Sequence, residues 1–182
     1  FPSHSRFVQE AGFARSTQHG LDRAHRFLAE QRALCPKAEI VVLEGNHDHR
    51  LPTSILNNAA ASFGIRQANI PDGWPVMTVP HLLRFDELDV NYVAGYPAAR
   101  YWINDRLACA HAPTKMRSNA SSAAASIEEE RVSLLYGHMH RIEVAYKTRN
   151  TRQGPKVSFA ASPGCLCRLT GEVPATKSGM NV

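Results

Sequence analysis

No run of eighteen or more apolar residues occurs in the chain, which excludes a membrane-spanning helix. An initiator Met, a charged leader and an apolar signal core are also missing. The chain opens Phe1-Pro2-Ser3-His4-Ser5, which reads as a fragment or a processed product. Cysteine is scarce, with four residues at positions 35, 109, 165 and 167. Cys165-x-Cys167 has no second such pair to meet, which argues against a structural zinc site. Reduced, mostly buried thiols in a cytoplasmic protein are expected. No internal repeat is present.

What remains is ordinary for a globular chain: 182 residues, 43% apolar and 20% charged, enough for one domain spanning 1–182. The net charge of +5 and pI near 9.2 invite a nucleic-acid partner. The charge is mostly scattered, however. Its densest stretch, Arg141 to Lys156, brackets a hairpin tip, and plain solubility is the simpler reading.

Hydrophobic spacing predicts a helix from Arg15 to Cys35 on Leu21, Ala24, Leu28 and Leu34, with Phe27 beside them, stopped by Pro36. Ala38 to Leu43 is a short apolar, β-branched run, the pattern of a strand buried on both faces. A second helix is expected over Thr53–Phe63 and a short one over His81–Glu87. Strands are expected over Leu88–Tyr96, Arg106–Ala110 and Val132–Tyr136. Met116–Glu130 reads as a modest helix covering the sheet. The alternating runs Ile142–Tyr146 and Val157–Ala161 read as an antiparallel hairpin with Gly154-Pro155 in its loop. Residues 69–80 and 96–105 are expected to be loops, and 162–182 an irregular tail. Trp74, Tyr96, Tyr101 and Trp102 in those loops would stack on bases or, more plainly, anchor the loops.

Three of the strands run into histidine-bearing turns. Ile40–Leu43 leads to Asn46 and His47, Arg106–Ala110 to His111, and Val132–Tyr136 to His138 and His140. In α/β sheets ligands bind beyond the carboxyl ends of the strands, and imidazoles with an amide oxygen suit divalent Mn, Fe or Zn. In Gly137-His138-Met139-His140 the residues two apart can face one site while Met139 packs the other way. Taken singly, each piece has a plainer account. His-x-His is more often two surface histidines, Gly45-Asn46-His47-Asp48 is a sequence of turn formers, and His111 alone reads as a satisfied rim histidine. Jointly they do not: each tetrapeptide arises by chance in at most about one in a hundred chains of this length.

Gly45-Asn46-His47-Asp48, then His111 in Ala110-His111-Ala112, then Gly137-His138-Met139-His140 make the chain resemble the calcineurin-like metallophosphoesterases, of phage or bacterial type, over about residues 15 to 147. The resemblance implies an α/β fold, a β-sandwich flanked by helices (αββα). It implies phosphate mono- or diester hydrolysis with two divalent ions. Asn46, His111 and His138 would ligate one ion and His140 the other. His47 would be the general acid, and Arg50 is a candidate to place positive charge on the phosphate. Substrates would be phosphorylated, with nucleic acid or nucleotide among the alternatives.

Two departures stand out. His111 precedes Ala112-Pro113 where the family usually has Gly. The family's opening Asp-x-His and Gly-Asp-x-x-Asp motifs are absent: neither Asp-x-His nor any Gly-Asp occurs in these residues. The simplest account at this level is an N-terminally truncated domain of weak or no activity. The alternative is a non-catalytic metal- or nucleic-acid-binding module derived from that fold.

Overall fold

The computed structural model describes residues 16–117 and 121–166. Cys167 and the rest of the expected tail, Arg15 at the expected helix start, and residues 118–120 lie outside them. The chain is mixed α/β and divides into two compact units, Phe1–Ala94 and Gly95–Val182.

In the first unit, helix α1 (Ser16–Leu34) is followed by strand β1 (Ile40–Leu43) and helix α2 (Arg50–Asn58). A 3-10 turn (Ala60–Ser62), the short helices α3 (Val79–Leu82) and α4 (Phe85–Leu88) and strand β2 (Val90–Val93) complete it. The expected helix to Phe63 stops early because Ala59 leaves helical geometry at φ −153°, and the remainder tightens into the 3-10 turn. β1 and β2 pair in parallel, Ile40 opposite Val90 and Leu43 opposite Val93. The core gathers Leu51, Ile55, Val79, Leu83, Phe85 and Val90, with Leu21, Ala24, Leu28, Ile40 and Val42 packed against it.

All four β1 residues are only half-buried, not enclosed on both faces as the sequence suggests. The pleat sends Ile40 and Val42 to the core and alternate residues away from it, and β2 is the only partner strand among the described residues. Leu34 is 76% exposed and Phe27 48%, so the apolar stripe of α1 ends at Leu28. The last turn is held by polar contacts: the Arg32 guanidinium donates to the carbonyls of Leu88 (2.9 Å), Asp89 (2.7 Å), Ala38 (2.8 Å) and Pro36 (3.2 Å).

The second unit is a five-stranded sheet with helix α5 (Ser122–Glu129) packed on it. Its strands are β3 (Arg100–Asn104), β4 (Leu107–Ala110), β5 (Ser133–Tyr136), β6 (Ile142–Thr151) and β7 (Gly154–Pro163), in the order β3-β4-β5-β7-β6. β4, β5 and β7 run parallel, and β3 and β6 pair antiparallel at the two edges. β3 corrects the expectation of a loop across 96–105. Its Arg-Tyr-Trp-Ile-Asn run is aromatic and β-branched, a strand composition that the preceding Pro97 obscures. The hairpin is also longer than expected. Gly154 and Pro155 belong to β7, paired with Thr151 and Asn150, and the tip is Arg152-Gln153.

Ala123 and Ile127 of α5 pack on Leu134 and Tyr136 and on Ala108, Ala110 and Ala160, whose small side chains let helix and sheet approach closely. On the β6–β7 hairpin the side toward α5 is the polar one. Glu143 is 5% exposed and accepts from the Ala123 N–H, the Tyr136 hydroxyl and the Arg141 guanidinium. Burial alone would raise that carboxyl, and these donors outweigh it and hold it below its ordinary value. Three residues of the basic stretch are likewise turned inward, while Arg152 and Lys156 stay exposed. Arg149 donates to the Ile127 carbonyl at the end of α5, Lys147 pairs with Glu128, and Arg141 with Glu143.

Candidate metal and phosphate site

In the first unit the pairing of β1 continues one residue, through Glu44 N–H to the Val93 carbonyl at 2.9 Å. The chain then turns. The Asp48 carboxylate accepts from the Gly45 N–H at 2.9 Å, and the His49 N–H donates to the Gly45 carbonyl at 2.9 Å. This closed turn presents Asn46 and His47 from a buried Gly45. Burial pushes the Asp48 carboxyl up, against the opposing pull of the Gly45 N–H.

Arg50, the candidate to place positive charge on the phosphate, stands against His47. Its guanidinium donates to the His47 Nδ1 at 3.2 Å. A guanidinium only donates, so Nδ1 holds a lone pair and the imidazole proton sits on Nε2. The contact is a local one, between residues three apart where the turn leads into α2. The other histidine of the turn, His49, meets Glu44 Oε1 at 3.2 Å.

In the second unit β4 and β5 are adjacent and parallel, with Ala110 opposite Tyr136. The residues just beyond them are therefore neighbours too: the Gly137 N–H donates to the His111 carbonyl at 3.1 Å. A Cβ at Gly137 would stand 3.4 Å from that oxygen, an ordinary contact, so the approach does not itself demand glycine. His111 Nε2 lies 3.2 Å from His138 Nδ1, with ring centroids 5.2 Å apart. Tyr96 meets His111 edge-on at 5.6 Å between centroids, a partner for which the sequence offers no specific signal.

His138 and His140 adopt left-handed backbone, φ 66° and 58°. That conformation is costly for residues with a Cβ and concentrates at functional sites. Between them Met139 packs on the core. His140 is exposed, and its carbonyl accepts from the Cys165 thiol at 3.6 Å.

Burial, with the charges of His138 and His140 behind it, lowers His111 from 6.5 to about 4. Burial and His140 lower His138 as well. Both rings are thus neutral at pH 7, the state in which an imidazole ligates a metal. Two nitrogens each about 2.0–2.1 Å from one tetrahedral ion would be about 3.3 Å apart. The 3.2 Å between His111 and His138 fits two ligands of one ion.

The structure therefore brings His111 and His138 into contact and leaves His140 close enough to act on both through its charge. Asn46, His47 and Arg50 are carried by the first unit. Among the described residues, no three His, Cys, Asp or Glu side chains are gathered as a ready-made cluster. Compared with family models, curated proteins and solved structures, the chain matches none.

Proposed function

We propose that the chain belongs to a divalent-metal-dependent phosphoesterase of the calcineurin-like kind, a helix-flanked β-sandwich hydrolysing phosphate mono- or diesters. The observation that carries this reading is the His111–His138 pair at 3.2 Å at the carboxyl ends of adjacent parallel strands. His111 and His138 would hold one Mn, Fe or Zn ion and His140 a second, with Asn46 the further ligand that the resemblance implies. Bound ions would supply Lewis-acid polarisation of a phosphoryl oxygen and an acidified water.

The chain's own residues do the remainder. His111 and His138 stay unprotonated at neutral pH, so their lone pairs do not depend on a nearby base. The Gly137 N–H holds the His111 carbonyl and sets the turn. Arg50 donates to the His47 Nδ1 and fixes the ring, which leaves Nε2 as the nitrogen that would exchange a proton with a departing oxygen. Because these residues contain no Asp-x-His and no Gly-Asp, the carboxylates of a complete two-metal centre are not among them, and their own turnover is expected to be weak.

Calorimetry with Mn²⁺ and Zn²⁺, beside turnover of a phosphodiester dye, tests this. Metal uptake should fall about 100-fold or more in His138→Ala. Weak Mn²⁺-dependent turnover should fall at least about tenfold in His47→Ala with metal uptake retained. Absence of metal uptake, or turnover unmoved in both variants, refutes it. The absent carboxylates favour a second reading, a metal-binding module without catalysis. Uptake that depends on His138 with no Mn²⁺-dependent turnover would select it.

A further inference from the structure

The strand order of the second unit brings a third ring to the histidine pair. β3 and β4 are antiparallel, with Arg100 opposite Ala110, so the chain entering β3 runs beside the chain leaving β4. The first carries Tyr96 and the second His111. A tight turn sets the approach. The Ala98 and Ala99 N–H groups donate to the Gly95 carbonyl at 3.0 and 2.9 Å, and Gly95 stands at φ 110°, a conformation that glycine adopts freely. Arg100 ties the same two chain segments together, donating to Glu130 Oε1 at 2.6 Å and to the Thr114 hydroxyl at 3.3 Å.

Because β4 lies between β3 and β5, His111 has a ring neighbour from each adjoining strand. His138, beyond β5, meets it with centroids 5.2 Å apart and 68° between planes. Tyr96, ahead of β3, meets it at 5.6 Å and 73°.

We propose that Tyr96 is a positioning residue for the metal ligand His111, holding its imidazole with Nε2 toward His138. The inference rests on the metal reading of the His111–His138 pair. The 3.2 Å contact between His111 Nε2 and His138 Nδ1 is a hydrogen bond only while one of the two nitrogens carries a proton. Two ligands of one ion each present a lone pair instead, so that bond no longer orients the rings. The Gly137 N–H holds the His111 carbonyl but leaves the ring free to turn. Tyr96 acts on the ring itself, and an edge-on aromatic contact fixes orientation as well as position. A plain anchor for the segment leading into β3 would act on stability and not on the ligand.

Titration with Co²⁺, whose visible absorption reports the geometry of its ligands, tests this without recourse to turnover. Tyr96→Phe keeps the ring and should keep both affinity and absorption. Tyr96→Leu and Tyr96→Met keep apolar bulk without a ring, and each should weaken uptake about fivefold and alter the absorption of the bound ion. Circular dichroism shows that each variant is folded. Native uptake and absorption in the two ringless variants overturn the proposal, whether or not their urea midpoints fall. An equal loss in Tyr96→Phe also overturns it, since the hydroxyl would then be responsible. Failure of the metal reading has a different signature: no Co²⁺ uptake by the native chain, or uptake that survives His138→Ala, removes the ligand pair and the role of Tyr96 with it. Uptake lost in His138→Ala but unchanged in Tyr96→Leu removes Tyr96 alone.

Discussion

Replacing His111 by Asn should remove a pH dependence of stability that the native chain carries. In the folded protein burial lowers the imidazole from 6.5 to about 4, whereas in the unfolded chain it titrates near its ordinary value. Between those two values the unfolded state binds the extra proton, so stability rises with pH. The contribution is complete above pH 6.5 and is lost as pH falls through about 4. A shift of that size corresponds to at most about 3 kcal/mol. The ring is only half-buried, and solvent screening reduces the figure to about 1–2 kcal/mol. Urea unfolding in chelator, so that no bound ion adds its own stabilisation, at a series of pH values from 7.5 to about 4 would measure it. The native chain should lose about 1–2 kcal/mol more over that range than His111→Asn. Parallel curves would refute the placement of His111 in a desolvated pocket beside two other imidazoles.

Two further substitutions test the packing of each unit. Arg32→Ala removes the donor that four carbonyls share and should cost about 2–4 kcal/mol, read from the urea transition by Trp74 fluorescence. Leu134→Ala empties a site that is 0% exposed and lined by alanines too short to fill it. It should cost about 3–4 kcal/mol, seen as a lower urea midpoint at unchanged slope.

Local pattern was enough to reveal most elements, because a helix or strand announces itself by the period of its own apolar residues. Leu21, Ala24 and Leu28 mark α1, and the apolar runs mark β1, β4 and β5. Where the reading failed, the deciding partner was distant in sequence. Leu34 fits the helical period but is exposed, since what holds that turn is Arg32 reaching the chain at Leu88 and Asp89. Polar Glu143 is buried and apolar Ile142 exposed, because α5 brings an N–H and the Tyr136 hydroxyl adds another donor on the Glu143 side.

For the site, the residue types and their order were written in the chain: Asn46, His47, His111, His138 and His140 each follow a short apolar strand. Those facts belong to the sequence because turn formers and strand formers act over a few residues. That His111 meets His138 is a different kind of fact. It follows from β4 and β5 lying side by side in parallel, a pairing that joins residues 27 positions apart and that no local preference encodes. The edge-on contact of Tyr96 with His111 is of the same kind. Only packing decides them, because burial and charge act through space and not along the chain.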